Sequence, residues 1–125
     1  MRWKQLAVVR GKVDFVGGDD RLPHFLCHIG TRKAHPVCTG VLDYFPDALL
    51  AVAYCSFVGN EQHNPGEPLH WAKEKSTDEA DALVRHLLDR GKLDADGVRH
   101  SAKVAWRALA LLQREIEAER EHREG

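Results

Sequence analysis

From about Val98 to about Glu121 the chain carries apolar residues at alternating steps of three and four: Ala102, Ala105, Leu109, Leu112 and Ile116. That is the spacing of one helix face. Val104, Ala108 and Leu111 widen the face to roughly half the circumference. A single neighbouring helix does not cover so wide a stripe. The pattern therefore predicts a bundle core together with a contact between copies of the chain, a homo-oligomer.

The same period recurs upstream. Ser76-Thr77-Asp78-Glu79 has the form of a capping box, with Ser76 capping the helix and Glu79 reaching back to its N–H. Ala80, Leu83, Val84, Leu87 and Leu88 follow at helical spacing, and Gly91 supplies a stop. Earlier still, Pro46 suits a first helical turn, where its missing N–H costs nothing. Residues Asp47–Phe57 then place Leu49, Leu50, Ala53 and Phe57 on a common face, with Gly59 as the expected end. Asn60–Lys75 contains Asn64-Pro65-Gly66-Glu67-Pro68 and reads as a shaped loop. Leu93–Gly97 reads as a polar turn, and the charged tail Arg114–Gly125 is expected to fray.

Residues 1–40 differ. Short β-like pieces at Leu6–Val9 and Lys12–Val16 are broken by Gly11 and Gly17-Gly18, and Gly17-Gly18-Asp19-Asp20 looks like a turn. The expectation is a mainly α protein. An irregular segment, 1–40, with room for one short hairpin, precedes a small helical bundle, 41–125.

At 125 residues there is material for one core and not two. A formal charge of −1 gives no global basic field, so nucleic acid is not the expected partner and any phosphate recognition must be local. No stretch approaches the ~20 apolar residues of a membrane span. The apolar patch Leu6–Val9 is ended by Arg10, too soon for a signal peptide, so a cytoplasmic location is expected. Cys27, Cys38 and Cys55 make an odd count, which favours buried or metal-bound thiols over a disulfide framework.

Helical geometry sorts the polar residues into stripes. Asp78, Asp81 and Arg85 fall beside the apolar face of the 76–90 helix. Two carboxylates one turn apart can hold Mg²⁺, which wants a few oxygens and keeps several waters, although an Asp81–Arg85 surface pair explains the same pattern. His86 lies about 140° round the helix from Asp81, near Glu79. On the last helix His100, Lys103, Arg107 and Arg114 form a cationic row suited to a polyphosphate. If the two helices pack antiparallel, metal and phosphate positions converge at one cleft. The central loop adds Glu61, Gln62, His63, Asn64, His70 and Trp71, which offer base-edge hydrogen bonding and a stacking ring. Separately, His24-x-x-Cys27 and His35-x-x-Cys38 pair four nitrogen and sulfur ligands in the manner of a structural zinc site, although the loop between the pairs is short. P-loop, dinucleotide-fold and nucleophile-elbow motifs are absent.

Several runs resemble a phage and prophage family, the dATP/dGTP diphosphohydrolases, which are similar in outline to the all-α MazG-like nucleotide pyrophosphohydrolases. The likeness runs from Phe45-Pro46-Asp47-Ala48-Leu49 through Gly59-Asn60-Glu61-Gln62-His63-Asn64-Pro65-Gly66-Glu67-Pro68-Leu69-His70-Trp71. It continues with Asp94-Ala95-Asp96-Gly97-Val98-Arg99-His100 and Lys103-Val104-Ala105-Trp106-Arg107, covering about residues 36–118. The resemblance implies hydrolysis of a purine deoxynucleoside triphosphate to monophosphate and pyrophosphate with Mg²⁺ or Mn²⁺. On that reading Asp78 and Asp81 are the first metal candidates, with Glu79, Asp94 and Asp96 behind them. Glu61, Asp81 and His86 are the catalytic candidates. Lys75, Arg85, His100, Lys103 and Arg107 are the phosphate candidates, and His63, Asn64, His70 and Trp71 the base-binding ones. MazG-like enzymes carry an E-E-x-x-E helix followed by an E-x-x-D helix, and neither pattern occurs here. That leaves a second reading open, a non-catalytic nucleotide-binding or host-interaction module on the same scaffold. A zinc-stabilised adaptor is the third.

Overall fold

A computed structural model describes residues 33–124. The expected hairpin, the turn at Gly17–Asp20 and two of the four zinc candidates, His24 and Cys27, lie outside those residues. Among the described residues there are three α-helices and no strand: α1 (Pro46–His63), α2 (Glu79–Leu88) and α3 (His100–Glu124). A π-helical turn at Cys38–Leu42 precedes α1, and a 3₁₀ turn at Lys73–Lys75 precedes α2. The described chain is all-α.

Pro46 opens α1 as its position in the sequence predicts. Gly59, however, does not end it. A mid-helix glycine costs about 1 kcal/mol relative to alanine, but it terminates a helix only where the chain turns left-handed. Among the described residues the left-handed glycines are Gly66, Gly91 and Gly97. α1 runs on to His63, and the N–H of Asn64 closes it by donating to the Asn60 carbonyl at 2.7 Å. The chain then reverses in a tight turn. The N–H of Glu67 donates to the Asn64 carbonyl at 3.0 Å, with Pro65 and Gly66 (φ +81°) at the central positions of a type II geometry.

α2 starts two residues later than the capping box places it, with Asp78 and not Ser76 at the N-cap. Ser76 is extended (φ −146°, ψ 129°), and its hydroxyl donates to Asp78 Oδ1 at 2.7 Å. Glu79 does not reach back. It accepts from Arg107 Nη1 at 2.8 Å, and a hydrogen bond between two charged groups outweighs one from the carboxylate to a neutral backbone N–H. α3 starts at His100 rather than Val98, because Val98 is buried in the preceding loop. There the Asp94 N–H donates to the Val98 carbonyl at 2.8 Å and Leu93 bridges Arg99. The far end of α3 remains helical through Glu124, so the fraying expected from Arg114 onward is not what the backbone adopts.

Both shorter helices lie antiparallel on α3. Contacts run from Glu79–Arg107 to His86–His100 along α2, and from Ser56–Trp106 to Gln62–Asp96 along α1. Among the described residues the buried apolar side chains are small: Ala82, Val98, Ala102 and Ala110. Larger ones stay open to solvent, with Leu50 70% exposed, Leu88 74% and Leu112 52%. The face that α1 turns toward α3 carries Leu49, Val52, Ala53 and Ser56, while Leu50 and Phe57, expected on that face, are exposed. A helix apolar nearly all round is ordinarily covered on several sides.

Candidate functional site

Because α1 and α2 both rest on α3, a cleft of about 830 Å³ is left above α3, lined by residues of all three helices and the 64–76 connection. Small-molecule sites fall in the same size range. Its floor is α3, where Lys103 and Arg107 stand one turn apart beside Trp106. One wall is the C-terminal end of α1 with Asn60, Gln62 and His63. The other carries Glu79 and His86 of α2.

Each cation on the floor has a carboxylate partner. Lys103 Nζ lies 2.6 Å from Asp94 Oδ2 and 2.7 Å from Asp96 Oδ2. Arg107 pairs with Glu79, which is 3% exposed, and also reaches Ser76 Oγ at 3.5 Å. The Lys103 hydrogen bond, helped by the Ala95 N–H, holds the Asp94 carboxyl down at about 2. For Asp96 partial burial pushes upward, but Lys103 and the N–H of Val98 outweigh it, and the carboxyl sits below its ordinary range. Burial likewise pulls Lys103 down, and its two carboxylates more than restore it, so the ammonium is held above its usual value. The two sides of the Lys103 pairs agree: Asp94, Asp96 and Lys103 are charged at neutral pH.

The turn that delivers both aspartates is built by its own sequence. The N–H of Gly97 donates to the Asp94 carbonyl at 2.9 Å, and Gly97 adopts φ +83°. The side chains of Asp94 and Asp96 then cap neighbouring amides, Ala95 N at 2.6 Å and Val98 N at 3.0 Å. At the end of α2, His86 Nδ1 faces His100 Nδ1 at 2.9 Å. Burial, then the positive charge of Lys103 and of His100, hold the His86 imidazole below its ordinary pKa, so it is neutral at pH 7. Burial also raises the Cys55 thiol, against the opposing pull of Lys103.

The sequence candidates divide cleanly. Lys75, Lys103 and Arg107 of the phosphate set line the cleft, as do all four base-binding candidates, His63, Asn64, His70 and Trp71. Glu79, Asp96 and His86 line it too, with Asp94 and His100 directly behind them. Asp78, Asp81, Arg85 and Glu61 do not line it and are exposed. Arg85 pairs with Asp78 at 3.2 Å rather than with Asp81. The reason is the rotation of α2 about its axis. Glu79, Ala82 and His86 face α3, while Val84, Leu87 and Leu88 of the expected apolar stripe are exposed, and Asp78 and Asp81 face outward. Of the zinc candidates within the described residues, His35 and Cys38 are exposed.

Residue-type reasoning passed over Asn60 and Trp106. Asn60 is 9% exposed, donates to the Glu67 carbonyl at 3.0 Å and accepts from Asn64 Nδ2 at 3.2 Å, tying the turn to α1. Its signal was present: Ala53, Ser56 and Asn60 share a helix face by their spacing. Trp106 donates to Ser56 Oγ at 2.6 Å and meets Trp71 edge-on at 5.6 Å. Trp71 in turn carries Lys73 over its ring at 4.9 Å.

Among the described residues Glu79 and Asp96 are the carboxylates lining the cleft, and each is held by a cation. A polyphosphate that took over Lys103 would leave the hard oxygen donors of Asp96 free beside it, and together with the phosphates they fit Mg²⁺ or Mn²⁺.

The fold and the cleft define an all-α bundle with a charged, ligand-sized hollow. Residues 30–124 match the family described as dATP/dGTP diphosphohydrolase, N-terminal, and the chain belongs to that family. The family's description names a hydrolase of purine deoxynucleotides. No curated protein and no solved structure gives a significant match. Among the described residues no helix is long and apolar enough to cross a membrane.

Proposed function

We propose that the cleft binds a purine deoxynucleoside triphosphate and hydrolyses it to monophosphate and pyrophosphate. The observation that carries this reading is the pairing of Lys103 and Arg107, one turn apart on α3, with amide, imidazole and indole groups on the facing walls of the same hollow. Phosphates draw on the first set, by charge-assisted hydrogen bonds that also discharge the floor. A purine edge and face draw on the second, through Asn64, His63, His70 and Trp71.

Binding exchanges partners. As the triphosphate engages Arg107 and Lys103, the carboxylate of Asp96 loses its internal cation and becomes free to orient a water or accept its proton, while the buried Glu79 stays beside Arg107 and holds it toward the phosphates. A divalent ion held there would neutralise the phosphates and activate the attacking water. Lys75, at the mouth of the cleft, adds a third cation. The apolar surface left exposed on α1 and α3 supports an assembly of copies of this chain, because Leu109 and Leu112 on α3 remain about half exposed.

The test is direct. Purified protein incubated with each deoxynucleoside triphosphate and Mn²⁺ should release pyrophosphate from dGTP or dATP, and Lys103→Met should abolish it. Binding without turnover under all metals would favour the non-catalytic module, which the missing E-E-x-x-E helix motivates.

A further inference from the structure

Behind the cleft wall, three potential metal ligands from three different segments meet. One nitrogen of His86 on α2, one of His100 at the start of α3 and one carboxylate oxygen of Asp94 in the connecting turn all lie within 4.8 Å of one another. The spacing in sequence, H-x₇-D-x₅-H, spans the whole α2–α3 connection, and the antiparallel packing of the two helices closes it.

We propose that His86, Asp94 and His100 form a binding site for one borderline transition-metal ion of the Zn²⁺ class. Two imidazoles and one carboxylate are the donors that such ions choose over Mg²⁺, which takes oxygen almost exclusively. The two facing nitrogens are 2.9 Å apart. Tetrahedral ligation at Zn–N distances of roughly 2.0–2.1 Å would separate them to about 3.3 Å, a small rotation of either ring. The supporting shell is already built. Lys103 fixes the other oxygen of Asp94 at 2.6 Å, and the Ala95 N–H holds its first oxygen. Such outer partners orient ligands and are expected around a genuine site. The His100 side chain is 12% exposed, and His86 lines the cleft. Three protein ligands leave a coordination position open, the pattern of ligand-exchanging rather than closed structural sites. This site is distinct from the Glu79 and Asp96 oxygens that flank the phosphates. It does not depend on the proposed hydrolysis, since its test reads metal binding alone.

The experiment uses the full chain, stripped of metal and titrated with Co²⁺ and Zn²⁺. One Co²⁺ per chain should bind with visible d–d absorption and without the near-ultraviolet thiolate charge-transfer bands that a cysteine site gives, and Zn²⁺ should displace it. His86→Ala and His100→Ala should each weaken binding by roughly 100-fold, and Asp94→Asn by roughly 10–100-fold, the scale on which ligand-shell changes act. Cys27→Ser with Cys38→Ser should leave binding unchanged. If the alanine variants fail to fold, nitrogen NMR of the parent decides. Of the eight histidines, two side chains alone should shift on Zn²⁺ addition. Thiolate bands, loss of binding in the cysteine variant, no stoichiometric uptake, or full affinity in His86→Ala/His100→Ala would overturn the proposal. Absence of nucleotide turnover with Co²⁺ bound would count against the hydrolase reading and leave the ion site standing.

Discussion

Arg107 of α3 places its guanidinium 2.8 Å from the carboxylate of Glu79, and that carboxylate is all but inaccessible to water. Removing one partner of a buried pair leaves the other charge uncompensated, at about 3–5 kcal/mol when burial is complete. The Arg107 side chain is 30% exposed, so solvent screens part of that loss. Glu79→Gln is therefore expected to destabilise by about 1–3 kcal/mol. In urea titrations the double variant Glu79→Gln/Arg107→Met should lose less than the sum of the singles. Strict additivity would mean that the two side chains do not interact in solution.

Asn60 supports the turn beneath the cleft by two hydrogen bonds, one to the Glu67 carbonyl and one from Asn64. Asn60→Ala removes both, and because Asn64 is half-buried and Glu67 exposed, water can take over the partners, for an expected cost of about 0.5–1.5 kcal/mol. The same variant should speed amide exchange at Glu67, whose N–H closes the turn. Unchanged exchange there would show that Pro65 and Gly66 hold the turn unaided.

Periodicity made the helices legible because apolar residues recur at helical spacing along α2 and α3, but it did not find their buried faces: Val84, Leu87, Leu88, Leu109 and Leu112 stay exposed while Glu79, Ala82, Ala102 and Ala110 are buried. Boundaries were less legible, and each shift has a tertiary cause. Glu79 abandons a local cap for Arg107, which lies 28 residues away. Gly59 stays helical because nothing there demands a left-handed turn. The basic row on α3 could be found from spacing alone, since Lys103 and Arg107 needed only to share a face. Which acidic stripe of α2 would meet it depended on rotation about the helix axis, and the capping box pointed to the wrong start. Hence Asp78 and Asp81 stood out in the sequence, while Glu79 and Asp96 line the cleft.

That difference can be measured. Asp81→Asn, on the exposed face of α2, is expected to change turnover and dGTP affinity less than threefold. Lys103→Met removes a charged partner worth about 1.5–3 kcal/mol and should weaken dGTP binding roughly 10–100-fold. Quenching of indole fluorescence supplies the readout, since Trp71 and Trp106 line the cleft. Equal losses from both substitutions would place the phosphates on the outer face of α2.

At the other end of α3, Glu117 accepts from Lys73 Nζ at 2.8 Å and from Gln113. The Lys73 hydrogen bond, then that of Gln113, hold its carboxyl below the ordinary glutamate value. A carboxyl lowered on folding adds stability above its unfolded pKa, roughly 4.3, and loses it as pH falls through the folded value. Glu117→Gln should therefore melt slightly below the parent at pH 7, with the gap closing below about pH 4. The pair is open to solvent, so molar salt should narrow the gap at neutral pH as well. A gap that widens in acid would reverse the assigned sign.

Cys55 lines the cleft beside the cationic floor, and its thiol is raised by burial while Lys103 and Arg107 pull it down and Asp96 pushes it up. The thiolate is the reactive form, so alkylation should be slow at neutral pH and accelerate only above the pKa of an ordinary thiol, roughly 8.5. In a Cys27→Ser/Cys38→Ser background Cys55 is the remaining cysteine. A triphosphate seated on Lys103 and Arg107 would cancel the charges that favour the thiolate and also cover the sulfur. dGTP at saturating concentration is therefore expected to slow iodoacetamide labelling at pH 9 at least fivefold, with labelling of the urea-unfolded chain unaffected. Rapid labelling at pH 7 would contradict the burial of the thiol. Labelling at pH 9 that ignores bound dGTP would place the nucleotide elsewhere than in this cleft.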